Sequence, residues 1–247
     1  MSTAGGGARR EGVVVFNSSS PSGCLLCDEV QNRSPLSVRA RLCDDPRANF
    51  LLESRSLLLL PDISPLVPGH SLLITKEHFA SFAQAPEDCG EELRTFKVEC
   101  AALVASKYSA PLLFEHGSAS SRPRSGACVH HAHIHFLPLV APVESWISEF
   151  GEVRRVDRPS RWADGAGARD YLAYEDQQGR SFLVSELESV PPCQFLRRRI
   201  AEHLLLREWQ WELMLLRRME SAANAERRPP ADAGGDCGQV ATPRQGR

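Results

Sequence analysis

Four of the eight histidines of the chain fall within six positions, between His130 and His135. A histidine side chain can bind a metal, transfer a proton or act as a nucleophile near neutral pH. Burying several of them on an apolar strand is costly unless each finds a partner. The density therefore predicts a functional site, and a chance cluster of surface histidines is the alternative.

The residues interleaved with these histidines set the direction of their side chains. Because side chains alternate across a strand, His131, His133 and His135 should project from one face, and the apolar residues between them should enter a core. At ~3.3 Å per residue the three rings spread over roughly 13 Å, so one small ion can hardly bind all three. We therefore expect the three rings to have different roles.

The cysteines bear on both compartment and chemistry. The chain has eight of them, and none of its apolar runs approaches the ~20 residues needed to cross a bilayer. No apolar signal segment follows the Gly/Arg-rich start, so we expect a reducing, cytoplasmic location. There, a close pair such as Cys24 and Cys27 indicates metal binding, with a redox pair or two buried thiols as the alternatives.

The balance of charges names no ligand. The chain has 29 basic and 31 acidic residues and a formal net charge of -2. There is thus no overall positive field to attract nucleic acid or an anionic membrane, and we expect neither as a partner.

The elements that must position these residues are strands around one early helix. Apolar runs bounded by turn residues predict five strands, at residues 50–54, 57–60, 71–75, 112–114 and 128–137. Apolar residues at helical spacing predict an amphipathic helix over 87–107. This order favours an α+β fold with a mostly antiparallel sheet over a doubly wound one.

Composition changes near both ends of the chain. Residues 1–23 and 221–247 contain little that is large enough to bury, and we expect both to be disordered tails. The ordered part has the size of one domain, with a core at 24–140 and an extension at 141–220. The apolar pattern of residues 194–219 predicts helices that pack on the sheet. The alternative is that these helices cover the mouth of a site.

Three motifs, taken in order, resemble those of one family. Residues 131–137 are similar to the signature of the histidine triad (HIT) nucleotide hydrolases and transferases, in which histidines alternate with apolar residues. Residues 62–78, which begin with an aspartate and contain Pro-Gly-His and Lys-Glu-His, resemble the family's preceding stretch. The pair Cys24 and Cys27 resembles the Cys-x-x-Cys that opens its zinc-bearing members. The resemblance covers residues 24–140 and implies a HIT-like fold.

The resemblance assigns roles at a nucleotide site. The middle histidine, His133, corresponds to the nucleophile that attacks the α-phosphorus and forms a nucleotidyl-imidazole intermediate. His135 would stabilise charge on the same phosphate, and backbone N–H groups of the turn from Gly126 to Cys128 would hold its oxygens. Asp62 would bind the ribose, with a purely turn-forming aspartate as the alternative.

The resemblance also implies a structural zinc ion. Its ligands correspond here to two thiols and two imidazoles, those of Cys24, Cys27, His78 and His131. Such a set makes a closed tetrahedral site, which ties elements together and performs no chemistry.

The chain departs from the family pattern just before the triad. The family often has Gly-Gln-Ser or Gly-Gln-Thr there, and this chain has Gly126, Ala127 and Cys128. A methyl group cannot donate a hydrogen bond and a thiol donates weakly, which argues against the usual cleavage of dinucleoside polyphosphates. A predicted loop at 115–127 offers His116, Arg122 and Arg124, which could fold over a polyphosphate or an anionic acceptor. A flexible solvated loop is the alternative.

The sequence therefore predicts a zinc-stabilised nucleotide hydrolase or nucleotidyltransferase that acts at the α-phosphate. The predicted enzyme could form a homodimer, as many members of the family it resembles do. Two alternatives remain: a nucleotide-binding regulatory module with little turnover, which Ala127 and Cys128 make plausible, and a purely structural zinc protein.

Overall fold

An antiparallel sheet of eight strands organises the part of the chain that the structure describes. The structure is a computed structural model, and it describes residues 24–31, 49–118, 129–156, 162, 166 and 169–226. The strands are β1 Leu52–Glu53, β2 Leu57–Pro61, β3 Ser71–Thr75, β4 Leu112–Gly117, β5 His133–Leu137, β6 Arg154–Val156, β7 Tyr171–Glu175 and β8 Ser181–Val184. Their order across the sheet is β1-β2-β3-β5-β4-β7-β8-β6, so the histidine strand β5 lies inside it.

Helices cover both faces of this sheet. They are α1 Leu25–Val30, α2 Glu87–Lys107, α3 Val143–Ile147, α4 Phe195–His203 and α5 Trp211–Glu226, with short 3-10 turns at Phe82–Gln84 and Ser148–Phe150. Among the helices within the described ranges, none combines the length and the apolar character that a membrane span requires.

Helix α2 packs on one face of the sheet. Leu93, Phe96 and Cys100 recur every three or four residues, so they lie on one side of the helix and are buried there. They meet alternate residues of the strands, among them Ile134 and Phe136 of β5. The sequence prediction that the apolar residues of the histidine strand enter a core is thereby confirmed.

The opposite face carries two separate apolar clusters. Beside α1, the residues Leu58, Leu60 and Ile74 pack under the cysteine segment. Further along the sheet, residues of β4, β5, β7 and β8 pack against α3 and α4. The polar side chains of β5 lie on this face between the two clusters.

The predicted α+β class is confirmed, because every pairing among the described strands is antiparallel. Strand β3 and helix α2 have the predicted bounds, while β4 continues to Gly117 and β5 begins only at His133. The extension contains the predicted helices, but it also adds β6, β7 and β8 to the sheet. Helix α5 reaches Glu226, past the predicted start of the tail at residue 221, and the rest of both predicted tails lies outside the described residues.

A buried polar pair joins β4 to β7 on the α2 side. Glu115 accepts a hydrogen bond from the backbone N–H of Phe82 at 2.8 Å and another from the hydroxyl of Tyr171. A Cβ at Gly117 would lie 1.9 Å from the Tyr171 ring, so only glycine leaves room for that ring. Burial raises the pKa of Glu115 to about 7.

Replacing Glu115 should change how stability depends on pH. The folded state keeps a proton on Glu115 between the ordinary pKa of 4.5 and about 7, after the unfolded chain has released it, so stability falls as pH rises through this window. Glu115→Gln removes this titration. At each pH, the free energy of unfolding of the variant is compared with that of the wild type. Between pH 4.5 and pH 8 the variant should gain up to ~3 kcal/mol relative to the wild type. Urea titrations at several pH values measure it, and a constant difference would contradict the raised pKa.

Candidate active site and metal cluster

The three histidines of the triad divide between two groups of side chains. His131, just before β5, turns toward the cysteines of the α1 segment, while His133 and His135 line a cavity. This separation in space agrees with the predicted spread of the three rings along the strand, and their roles stay predictions.

The first group contains two thiols and two imidazoles. Sγ of Cys24 lies 3.4 Å from Nδ1 of His131, and Sγ of Cys27 lies 3.5 Å from the same nitrogen and 3.4 Å from Nδ1 of His78. The four candidate ligand atoms all lie within 4.8 Å of one another. Residues that are up to 107 positions apart in sequence thus converge on one point.

These residues fit a zinc ion. With Zn–S near 2.3 Å and Zn–N near 2.0–2.1 Å, tetrahedral sulfur and nitrogen ligands lie roughly 3.5 Å apart, close to the separations found here. Nε2 of His131 donates to the carbonyl oxygen of Thr75 at 2.7 Å, which leaves Nδ1 unprotonated and able to bind a cation. Burial raises the pKa of Cys24 to about 11, so its thiolate requires a nearby positive charge.

The second group surrounds a cavity of about 90 Å³ on the same face of the sheet. Its lining combines imidazoles from β4 and β5 with apolar residues of α1 and with side chains from the extension. The residues that bear on its chemistry are Asp62, Ile63, His116, His133, His135 and Arg197.

One hydrogen bond fixes the tautomer of His133. Its Nδ1 lies 2.6 Å from the carbonyl oxygen of His131, and because that oxygen can only accept, Nδ1 carries the proton. The lone pair then resides on Nε2. Burial lowers the pKa of His133, which keeps the ring neutral and nucleophilic at neutral pH.

A relay of hydrogen bonds fixes the tautomer of His135. The backbone N–H of Leu66 donates to Nδ1 of His70 at 3.2 Å, so Nε2 of His70 carries the proton and donates to Nδ1 of His135 at 2.9 Å. His135 is left with its proton on Nε2. The ring of Phe114 stacks on it, with centroids 4.3 Å apart, and holds its plane. Burial lowers the pKa of His70 to about 4 and that of His135 well below its usual value.

Asp62 is held by partners within the chain. Its Oδ1 accepts from the N–H of Ser64 at 2.7 Å, and its Oδ2 accepts from Nη1 of Arg197 at 2.9 Å. Burial would raise the pKa of this carboxyl, but interactions with His70 and Arg197 outweigh it, and the pKa lies below its ordinary value. Asp62 lines the cavity, and its contact with a ribose stays a prediction.

The structure brings most of the predicted site residues together. Asp62, His133 and His135 share the cavity, and the four predicted metal ligands form the other group. The predicted phosphate-binding turn of Gly126, Ala127 and Cys128 lies outside the described residues and stays a prediction. The predicted loop at 115–127 was placed too early, because β4 continues to Gly117 and His116 lies in it.

The sequence assigned no role to His70 and Arg197, and it considered His116 only as part of a predicted loop. His70 stands in the Pro-Gly-His motif, where a histidine at the edge of an apolar run was a usable signal. His116 was hidden in a polar segment taken for a loop. Arg197 had no local signal, because the residue it contacts lies 135 positions away and its own segment is rich in arginine.

Comparison with known proteins matches one part of the chain to a family. Residues 45–141 match the family model of the HIT domain. The chain is also 26% identical, over 140 residues, to an uncharacterised HIT-like protein of Methanocaldococcus jannaschii, a match that covers 54% of this chain and 92% of that protein. Residues 45–141 of this chain are thus a HIT domain, which contains β5 and contributes part of the cavity, while α1 and the extension supply the rest of its lining.

Solved structures similar to this chain include further proteins described as members of the HIT family. A zinc-bound histidine triad family protein of Mycobacterium smegmatis is 20% identical, over 48% of this chain and 76% of that one, with a TM-score of 0.37. A HIT family hydrolase of Legionella pneumophila is 24% identical, over 48% of this chain and 94% of that one, with a TM-score of 0.34.

Cys27→Ser should abolish zinc binding by the purified protein. A hydroxyl is a poor zinc ligand compared with a thiolate, and the remaining three side chains leave the tetrahedron open. Metal analysis after dialysis should find about one zinc per chain in the wild type and almost none in the variant. Cys89→Ser is the matched control, because Cys89 is buried in the α2 core away from the cluster. Zinc retained in the first variant, or lost from both, would contradict the assignment.

Arg197→Met should destabilise the fold by about 3–5 kcal/mol, because it leaves the buried charge of Asp62 without its cation. Asp62→Asn in the same chain should recover part of that loss. Arg198→Met is the control, since Arg198 pairs with Glu202 on the exposed side of α4 and such pairs contribute about 1 kcal/mol or less. Urea unfolding measures all four proteins, and equal losses for the two arginines would exclude a special role for Arg197.

Proposed function

We propose that this protein hydrolyses or transfers nucleotides at the α-phosphate through a covalent intermediate on His133. The observation that carries the proposal is the hydrogen bond from Nδ1 of His133 to the carbonyl oxygen of His131, which leaves Nε2 as the nucleophilic atom of a neutral ring at the cavity. The HIT domain match supports the reaction class at the level of the family.

The reaction would proceed in two displacements at phosphorus. The lone pair on Nε2 of His133 attacks the α-phosphorus, a P–N bond forms, and the bond to the leaving group breaks with its electron pair. The ring, still protonated on Nδ1, becomes a phosphorylated imidazolium, which is a good leaving group in turn. Water or a second substrate then attacks the phosphorus, loses its proton to solvent, and restores neutral His133.

His135 would stabilise the transition state of both steps. Its Nε2 carries a proton, and a donor placed against a phosphate oxygen gains strength as negative charge develops there. The bond from His70 and the stacked ring of Phe114 hold this donor in a fixed orientation. Such fixed donors need no reorganisation during the reaction, which is the main source of their effect.

The zinc ion would have a structural role. Held by Cys24, Cys27, His78 and His131, it would supply a cross-link between the α1 segment and the start of the nucleophile strand, and no reaction step. Its effect on His133 would pass through the backbone of His131, whose carbonyl oxygen accepts the Nδ1 proton.

A nucleotide-binding module with little turnover is the second candidate. The cavity of about 90 Å³ is smaller than the ~300–1,000 Å³ of typical small-molecule sites, so a nucleotide must extend beyond it or move its walls. Both oxygens of Asp62 also have partners already. The nucleotide partner, the homodimer and the cytoplasmic location stay predictions of the sequence.

Covalent trapping distinguishes these two functions. The protein is incubated with nucleotides, dinucleoside polyphosphates and nucleoside phosphoramidates labelled at the α-phosphate, quenched, and mapped for labelled peptides. We expect label on His133 in the wild type, none in His133→Ala, and a fall in released monophosphate on the order of 10³-fold or more in that variant.

His130→Ala is the matched control, because His130 does not line the cavity. It should retain both label and turnover. Tight nucleotide binding with neither adduct nor product in the wild type would favour the module, and the absence of binding would exclude both functions.

A further inference from the structure

His116 stands on β4 as a third imidazole at the cavity, besides His133 and His135, and the proposed reaction has not used it. Its side chain is only 8% exposed. Within the described part of the chain, its Nε2 is buried and has no hydrogen-bond partner. A buried polar atom without a partner is uncommon in folded proteins and costs stability, so it calls for a physical reason.

The strand register places His116 beside the nucleophile. Phe114 of β4 lies opposite His135 of β5. Two residues further along β4 and two residues back along β5, the same antiparallel register sets His116 next to His133 on the same face. The ring of His116 lies 5.6 Å from that of Phe114, and both side chains line the cavity.

The other imidazoles of this region already have their hydrogen bonds. His131 bonds the carbonyl oxygen of Thr75, His133 bonds that of His131, and His70 and His135 bond each other. Among the described residues, His116 differs from these four because its Nε2 is both buried and without a hydrogen-bond partner, and its side chain lines the cavity.

We propose that His116 contacts the substrate, donating a hydrogen bond from Nε2 to a non-bridging oxygen of the phosphate that is transferred to His133. The inference rests on the proposed function, since it presumes a phosphate beside His133. It adds to that function a second fixed donor, provided by the strand next to the one that carries the nucleophile.

The alternative role, protonation of the leaving group, does not suit this ring. Burial and the neighbouring His133 lower the pKa of His116 to about 3. The ring is therefore neutral at pH 7, and a neutral imidazole is too weak an acid to give up its proton. A neutral N–H is well suited to donate a hydrogen bond to an anionic oxygen.

Two substitutions test the inference. His116→Phe keeps an aromatic ring against Phe114 and removes the donor, while His116→Gln keeps an N–H donor. Turnover is measured with a nucleoside phosphoramidate and with a nucleoside p-nitrophenyl phosphate, whose leaving group needs no proton. We expect kcat/KM to fall ~10²-fold in the Phe variant for both substrates, and to recover at least about tenfold in the Gln variant.

His203→Phe is the control for the change of side chain, because His203 is an exposed residue that contacts Trp146 outside the cavity. It should have wild-type activity. If the Phe variant of His116 does not fold, His116→Met serves in its place, since a flexible apolar side chain fills the same space.

A binding measurement separates this inference from the proposed function. The affinity for nucleoside monophosphates relative to that for the matching nucleosides should fall at least about tenfold in His116→Phe even if the wild type binds without turnover. An unchanged ratio, wild-type kcat/KM, or a loss confined to the phosphoramidate would each overturn the role of His116 alone. A wild type that neither binds nor turns over nucleotides would overturn both proposals.

Discussion

The site depends on the fact that an imidazole has only two nitrogens. When burial excludes water, a bond made by one nitrogen decides whether the other is a donor or an acceptor. The carbonyl oxygen of Thr75 thereby makes Nδ1 of His131 available to a metal, and that of His131 makes Nε2 of His133 available to an electrophile. Main-chain atoms, which the fold holds rigidly, thus set the chemistry of two side chains that are two residues apart.

The extension beyond residue 140 is part of this arrangement. Its strand β7 pairs with β4, and its helix α4 buries an apolar side against the same face of the sheet that holds the cavity. From that helix Arg197 reaches Asp62 and the carbonyl oxygen of Ser64, at 2.9 and 2.7 Å. The segment that the family resemblance linked to the ribose is therefore fixed by a part of the chain outside the matched HIT domain.

Local patterns in the sequence predicted local features well. Helical spacing predicted α2, and alternation on one strand placed His133 and His135 on a common face, because both signals are contained in a few neighbouring residues. Strand β7 gave no such signal, since its residues from Tyr171 to Tyr174 are buried on both faces and do not alternate. The ion pair between Asp62 and Arg197 could not be predicted from the sequence for a different reason. It joins residues that only the tertiary fold brings together.

The order of the strands also limits how a second copy of the chain could be added. Both sides of β4 are hydrogen-bonded within one molecule, to β5 and to β7. In the described residues the open edges of the sheet are β1, of two residues, and β6, of three, which presents the exposed side chains of Arg154 and Arg155. Short and charged edges discourage strand addition. Self-association through a continuous sheet is thus disfavoured at both of the described edges.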